Sequence, residues 1–409
     1  MAMNKGQVWR QVFLPYALGY FISYLLRTVN AVIAPDLSQE LGLSAADLGL
    51  LTSAYLIAFA LVQLPLGMAL DRFGPRRVES LLLLICAAGC AAFALGHTLP
   101  QLALARGLIG LGVSASLMAA FTAFSLWFPA ERQASLNSSI MVAGGLGALT
   151  ASTPFGLLLP LVGWRNIFWG LAAATLVAAW AIRRTPDQEH HVSTETFAHQ
   201  LQGVCSILTS RSFWRFAPHT GLMIGGFISI QSLWAVPWLM GTEGNTRQQA
   251  ALHLLLLNIA LMAGYAWIAR HITRLGRQGV TPVHLIVWGN TAALLVSLLL
   301  ILGVGYSTLM WTLFGLVYAC ANLAYAAHAL RFPRSLAGRA NTCLNLAVFV
   351  CGFGLQWGFG VLVDSGQADG MTRAESLRLA WAVMLVLQTA SLAWFTACSP
   401  WEQRGSGTT

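Results

Sequence analysis

Charged side chains are scarce in this chain. Asp, Glu, Lys and Arg make up 9% of its 409 residues, whereas apolar residues make up 57%. Soluble domains usually carry about 25% charged residues. So little charge cannot cover the water-facing surface of a soluble protein of this length, and the composition therefore indicates a polytopic membrane protein.

Several motifs are also missing. The seven cysteines show no CxxC spacing, which favours small apolar fillers over a metal or redox role. The pair His190–His191 has no further ligands spaced around it and is interpreted as a solvated loop. There is no HExxH, no G-x-S-x-G and no paired acids near a histidine within the apolar segments, so an enzyme, a metal site and a cofactor are not expected. Met1 to Arg10 lead directly into an apolar segment, without the pattern of a cleavable signal peptide.

Twelve apolar segments have about the 20 residues that a helix needs to cross a bilayer. They are 12–34, 46–70, 78–97, 101–126, 137–161, 165–183, 214–240, 250–270, 282–303, 307–330, 341–363 and 377–398.

Basic residues set the predicted orientation. Of the 23 Lys and Arg residues, seventeen fall on one side of these segments and four on the other, with Arg27 and Arg106 inside them. Because cytoplasmic loops are enriched in Lys and Arg, both termini are predicted to be cytoplasmic. A net charge of +9 could indicate nucleic-acid binding, but the basic residues lie mainly on one side of the segments. Nucleic acid is therefore not expected as a partner.

The loop at 67–77 reads Gly-Met-Ala-Leu-Asp-Arg-Phe-Gly-Pro-Arg-Arg and joins two apolar segments. Its G-x-x-x-D-R-x-G-x-R-R spacing resembles the signature loop of the major facilitator superfamily of transporters. In that family the loop latches two helical bundles in one state. The alternative for this chain is that the basic residues of the loop only fix the membrane topology. The resemblance assigns a gating role to Gly67, Asp71, Arg72, Gly74, Arg76 and Arg77.

A weak internal repeat supports the same family. Arg72–Arg76 has a counterpart about 202 residues later in Arg274–Arg277. The expected fold is an all-α membrane protein with twelve transmembrane helices in two six-helix bundles, the arrangement used for alternating access. The predicted parts are an N-terminal bundle at 1–183, a cytoplasmic linker at 184–212 and a C-terminal bundle at 213–409.

Arg27 is the leading candidate for substrate binding. It lies in the first segment, about 10 Å from the helix end at 1.5 Å per residue, and that segment offers no carboxylate to neutralise it. Tyr20 and Tyr24 share its helix face, and Asn30 is close by. The pattern Tyr24-Leu-Leu-Arg27-x-x-x-Ala31-x-x-x-Pro35-x-Leu37 resembles the first segment of the superfamily's organic-anion branches. These include the organophosphate exchangers and anion:cation symporters, where the arginine contacts the substrate anion. The alternative is a structural or snorkelling arginine.

The stretch Gly221–Trp238 of the seventh segment has no second arginine, unlike the organophosphate exchangers, and a single cation suits a monoanion such as a carboxylate. Gln231, Trp234 and Trp238 form a stripe that either lines the substrate pathway or packs between helices. His328 is a further candidate for binding or coupling, because histidine titrates near neutral pH.

Arg106 opens an R-x-x-x-G-x-G pattern that resembles a second superfamily motif. Gly110 and Gly112 would allow close helix approach. For Arg106, a role inside the bundle competes with snorkelling to the outer surface.

The predicted function is a secondary active or facilitated transporter that works by alternating access on a small organic anion. A proton-driven exporter of drugs or metabolites is the alternative, and a non-transporting membrane sensor is a third. The expected partners are the anionic substrate and membrane lipid, with protons or a counter-transported anion left open. A monomer in a bacterial inner membrane is expected.

Overall fold

The computed structural model describes residues 5–186, 197–333 and 336–398, and every regular element in these ranges is a helix. Ten helical segments among them are long and apolar enough to cross a membrane, and Ala45–Leu61 and Ser139–Ala151 are shorter apolar helices. The prediction of an all-helical membrane protein is confirmed. The number of crossings and the side of the termini stay predictions.

The helices follow one another with short connections. In the first half of the chain they are α1 (Lys5–Val8), α2 (Leu14–Leu41), α3 (Ala45–Leu61), α4 (Gln63–Phe73), α5 (Pro75–Leu95), α6 (Leu99–Gly112), α7 (Ser116–Trp127), α8 (Ala130–Ala151) and α9 (Thr153–Arg183). In the second half they are α10 (Phe197–Leu208), α11 (Arg211–Ser229), α12 (Ala235–Thr242), α13 (Arg247–Arg277), α14 (Pro282–Leu302), α15 (Ser307–Tyr318), α16 (Leu323–Ala329), α17 (Ala337–Ala368) and α18 (Arg373–Ala397). Short π-helical stretches at Trp9–Phe13 and Ile230–Trp234 and a 3₁₀ turn at Ala319–Asn322 complete the described elements.

The chain forms two compact units. The first contains residues 1–43 and 50–195, and the second contains residues 44–49 and 196–409, so the first turn of α3 groups with the second unit. Within the segment predicted as a linker, 184–212, the structure contains helix α10. His190 and His191 lie outside the described residues.

Local sequence explains where many helices begin and end. Helix α2 has a proline in its first turn and ends at Gly42, whose φ of 64° is the left-handed conformation that glycine adopts at low cost. Three helices of the second unit begin with a capping box, in which a threonine hydroxyl and the side chain three residues later satisfy backbone N–H groups. These pairs are Thr246 with Gln249, Thr281 with His284, and Thr372 with Glu375.

Several predicted segments are not continuous helices. The segment predicted at 137–161 is interrupted at Ser152 (φ −85°, ψ −108°), because Pro154 cannot donate a helical hydrogen bond and restricts the residues before it. The predicted break between 161 and 165 falls on Gly163, whose φ of 75° and ψ of 157° are non-helical, so α9 consists of two helices that meet at a kink. The segments predicted at 46–70, 101–126 and 307–330 are likewise broken, between α3 and α4, between α6 and α7, and at the 3₁₀ turn.

Candidate functional site

The predicted aromatic face of α2 is present in the first unit. The rings of Tyr20 and Tyr24 meet edge to face with centroids 5.1 Å apart. The Arg27 guanidinium carbon lies 4.7 Å from the Tyr24 ring centroid and 5.5 Å from that of Phe59 on α3. A guanidinium over an aromatic face is attracted by the ring quadrupole. Arg27 is half-buried, so it keeps part of its surface for another molecule.

Tyr55 of α3 is a functional candidate that sequence reasoning missed. It is buried, and its hydroxyl accepts a hydrogen bond from Arg27. Its own hydroxyl also points to the Ser23 carbonyl at 3.4 Å. Tyr55 and Phe59 are four residues apart on one face of an apolar helix, and this spacing was the only sequence signal for their pairing with α2.

Arg106 of α6 also contacts Tyr55. Its guanidinium carbon is 5.1 Å from the Tyr55 ring centroid, and its Nη1 donates to the Leu26 carbonyl at 3.1 Å. Its Nε and Nη2 are buried without a hydrogen-bond partner among the residues described. Arg106 has no exposed surface, so its side chain faces the interior of the first unit, which favours a role inside the bundle over snorkelling.

Glycine brings α6 close enough for this contact. A Cβ at Gly110 would lie 2.2 Å from the Tyr55 carbonyl oxygen, and a Cβ at Gly112 would lie 2.4 Å from the Cys86 backbone nitrogen on α5. Both distances are impossible for real atoms, so only glycine permits this packing. The close approach fixes Tyr55 under Arg106.

Asn30 lies one turn beyond Arg27 on α2 but points to a different neighbour. Its Nδ2 donates to the Thr52 hydroxyl on α3 at 3.1 Å, and the residue is buried. The structure therefore gives Asn30 a helix-bridging contact in the first unit.

The candidates of the second unit do not form one cluster. Gln231 lies in the π-helical turn and donates to Asn258 Oδ1 at 2.5 Å. Trp234 stacks on Phe359 with centroids 4.7 Å apart and donates to the Gln356 carbonyl at 3.1 Å. Both side chains are buried in contacts with neighbouring helices, the arrangement expected of packing residues.

Trp238 belongs to a separate group around Glu243. The indole N–H groups of Trp238 and Trp311 both donate to Glu243 Oε1 at 3.2 Å, and Ser307 donates to Oε2. Trp238 also meets Trp381 edge to face at 4.5 Å. This buried aromatic group holds α12, α15 and α18 together.

His328 is fully buried among aromatic rings. Its ring centroid is 5.5 Å from that of Phe216 and 5.0 Å from that of Phe332. Its predicted binding or coupling role stays a prediction.

The loop at 67–77 turns at Gly74, which has φ 78° and ψ 156°, a conformation that is essentially restricted to glycine. Arg76 Nη1 donates to the Thr185 carbonyl at 3.1 Å after α9, whereas Arg72 and Arg77 are exposed. Gly67 faces open space. The side chain of Asp71 lies outside the described part of the chain. In the ranges that the structure describes, His, Cys, Asp and Glu form no group able to hold a metal ion.

Several known proteins resemble this chain in sequence. The profile of the Major Facilitator Superfamily matches residues 16–355. The hexuronate transporter of Escherichia coli K12 is 28% identical over 241 residues, which cover 53% of this chain and 54% of the relative. The probable sulfoacetate transporter of Cupriavidus necator is 31% identical over 183 residues, covering 44% of this chain and 42% of the relative.

The chain thus spans about half the length of the curated relatives it matches. Among solved structures, a bacterial homologue of the human lysosomal transporter Spinster, in an inward-facing and unoccupied conformation, superimposes with a TM-score of 0.77. The match covers 98% of both chains at 17% identity, and at that identity it concerns the fold alone.

Proposed function

Because this chain belongs to the Major Facilitator Superfamily, we propose that it carries a small organic anion across a membrane by alternating access, with Arg27 binding the negative charge. The chain is an integral membrane transporter by family. The observation that carries the anion assignment is the half-buried Arg27, held on an aromatic face by Tyr24, Phe59 and Tyr55.

The chemistry of this setting favours a carboxylate. A guanidinium stays charged under all relevant conditions and offers a planar fork of donors that matches a carboxylate. The aromatic neighbours hold the fork in place, which lowers the entropy lost when an anion binds. Arg106, whose guanidinium carbon also lies near the Tyr55 ring, adds a buried positive charge to the same region.

The names of two relatives support this substrate class, since hexuronate and sulfoacetate are both small organic anions. A hexuronate combines one carboxylate with several hydroxyl groups. Tyr20 and Tyr24 supply hydroxyls on the helix face of Arg27, and the Tyr20 hydroxyl contacts the weak acceptor Met141 Sδ at 3.7 Å. We therefore assign a polyhydroxylated monocarboxylate as the first substrate to test.

The proposal includes twelve membrane crossings, cytoplasmic termini and a gate at the loop 67–77. Ten long apolar helices with two shorter ones support twelve crossings, and the one-sided distribution of basic residues supports cytoplasmic termini. The loop at 67–77 would act as the gate, with its turn at Gly74 and its contact between Arg76 and Thr185. Bacterial relatives support a bacterial inner membrane, and a monomer is the working assignment.

The test is uptake of labelled galacturonate, glucuronate and sulfoacetate into proteoliposomes containing wild type, Arg27→Ala or Arg270→Ala. Arg270 is an exposed arginine of α13 and serves as the matched control. We expect wild type and Arg270→Ala to transport at least one of these anions, and Arg27→Ala to lose at least 90% of the rate while eluting as a folded protein.

Transport of a neutral or cationic compound that is unaffected in Arg27→Ala would support the alternative function, export of drugs or metabolites. Arg27 would then be a structural residue. The same experiment thus separates the two functions by the charge of the compound that moves.

A further inference from the structure

A cavity of about 310 Å³ lies at one end of the second unit and has no part in the proposed function. It is enclosed by the end of α12 and the turn that follows it, by the turn between α14 and α15, and by the first two turns of α18. Sites that bind small molecules usually measure about 300–1,000 Å³. Two residues that line the cavity, Glu243 and Arg378, carry opposite charges. The cavity therefore offers both signs of charge to one ligand.

Glu243 is held in place on one wall of this cavity. The indole N–H groups of Trp238 and Trp311 donate to its Oε1, and Ser307 donates to its Oε2. These donors restrict the movement of the carboxylate. A fourth contact, from Asn245 Nδ2 to Oε2, is 3.4 Å long. Since a carboxylate has about four acceptor positions, a better donor inside the cavity can take the place of this long contact.

Arg378 lies on another wall and is exposed. None of the described residues forms a hydrogen bond or an ion pair with it, and the acid closest along α18, Glu375, accepts hydrogen bonds in the capping box with Thr372. A Cβ at Gly303, where α14 ends, would lie 3.9 Å from Arg378 Nη2, so this glycine leaves space beside the guanidinium. A guanidinium is always charged, and its forked donors match the oxygens of a phosphate or a carboxylate.

The two opposite charges line one cavity without forming an ion pair with each other. Opposite charges attract, and this attraction would bring two freely moving side chains together. Here the hydrogen bonds of Glu243 fix its carboxylate, and the cavity separates it from Arg378. A ligand that carries both an ammonium group and an anionic group would satisfy the two charges at the same time.

The surface next to the cavity carries exposed apolar and aromatic side chains. They lie at the end of α14, in the following turn and at the start of α15, and they are Leu302, Val304, Tyr306 and Leu309. Val304 also lines the cavity. The distribution of basic residues predicts this end of the second unit on the non-cytoplasmic side, and tyrosine is common where a membrane meets water. A ligand with a charged headgroup and apolar chains therefore fits both the cavity and the adjoining surface.

We propose that the cavity binds a zwitterionic headgroup of the ethanolamine phosphate type. The phosphate oxygens accept hydrogen bonds from Arg378, and the primary ammonium group donates to the Glu243 carboxylate. The exposed apolar segment favours phosphatidylethanolamine of the surrounding membrane as the source of this headgroup. Glycerophosphoethanolamine carries the same two charges without acyl chains and is the soluble source. The site is independent of the anion transport proposed above.

The first experiment measures lipid binding to the purified full chain by native mass spectrometry. The probes are phosphatidylethanolamine, phosphatidylcholine, whose ammonium group has no N–H donor, and phosphatidylglycerol, which has no cation. We expect wild type to prefer phosphatidylethanolamine, and Arg378→Gln to bind it about tenfold more weakly, because a hydrogen bond to a charged group is lost. Arg373→Gln is the matched control, since Arg373 is an exposed arginine of the same helix outside the cavity lining. Its affinity should equal that of wild type.

A second variant tests the other charge. Glu243→Gln removes the negative charge and keeps an oxygen that can accept from the indole groups, and its elution profile shows whether it folds. We expect its affinity for phosphatidylethanolamine to fall to that for phosphatidylcholine. Equal affinities of wild type for the three lipids would overturn the proposal, and so would wild-type binding of phosphatidylethanolamine by Arg378→Gln.

Titration of glycerophosphoethanolamine into delipidated protein separates the two sources of the headgroup. Binding of the intact lipid with little binding of the soluble headgroup would support a lipid site. Binding of the soluble headgroup that is lost in Arg378→Gln, without binding of the lipid, would support the same site with a soluble ligand. If neither compound binds, the proposal is wrong. None of these measurements depends on transport, so they leave the proposed function to its own test.

Discussion

Tyr55 contacts two arginines of the first unit. Its hydroxyl accepts a hydrogen bond from Arg27, and the guanidinium carbon of Arg106 is 5.1 Å from its ring centroid. One side chain therefore orients the proposed anion-binding residue and stabilises a second buried cation. This relationship makes the two roles of Tyr55 separable by mutation.

Tyr55→Phe should keep the ring beneath Arg106 and remove the hydroxyl that holds Arg27. Hydrogen bonds to charged groups contribute about 1.5–3 kcal/mol, so we expect the KM for the transported anion to rise by roughly 10-fold or more. Tyr306→Phe, at an exposed tyrosine, is the control and should leave KM unchanged. An unaltered KM in Tyr55→Phe would show that the hydroxyl does not position Arg27 for binding.

Gly110→Ala should destabilise the first unit. The new Cβ would lie 2.2 Å from the Tyr55 carbonyl oxygen, so α3 and α6 must separate, and such overpacking typically costs about 1–3 kcal/mol. The measurement is Tm in detergent, which should fall. Gly107→Ala is the matched control on the same helix, because its Cβ would meet only Ala58 Cβ at 3.9 Å. Equal Tm values for the two variants would contradict the close contact.

Gly74→Ala should strain the turn between α4 and α5. With φ 78° and ψ 156°, an alanine costs about 1–3 kcal/mol, so both Tm and the transport rate should fall if this turn serves the gate. Gly170→Ala inside α9 is the control, because Gly170 lies outside the proposed gate. Its Cβ meets nothing within 4 Å, and replacing a glycine inside a helix stabilises it by about 0.5–1 kcal/mol. A transport rate unaffected by Gly74→Ala would argue against the gating role.

Glu243→Ala should lower the stability of the second unit. The carboxylate accepts from Trp238, Trp311 and Ser307, and leaving buried donors unsatisfied costs about 1–3 kcal/mol. A double-mutant cycle with Trp311→Phe, read as the free energy of unfolding, should be less than additive since the two changes remove a shared hydrogen bond. Full additivity would show that this bond contributes nothing.

Prediction from sequence succeeded where a pattern has a local cause. Scarce charge and long apolar runs predicted the membrane helices, and the loop spacing at 67–77 predicted the family that the profile match then confirmed. The spacing of Tyr20, Tyr24 and Arg27 correctly placed them on one face of α2. Hydropathy did not predict which apolar segments form one continuous helix. The break at Ser152, for example, comes from the nearby Pro154, which does not interrupt the apolar run.

The sequence by itself determined the class of protein, its helices and the face that carries Arg27, because these follow from composition and from a period of 3.6 residues. Only the tertiary structure decided that Tyr55 contacts two arginines and that Arg106 is fully buried. These facts depend on which helices pack together and how closely. Glycines without room for a Cβ set the distance between packed helices. The hydropathy of the sequence contains no information about this distance.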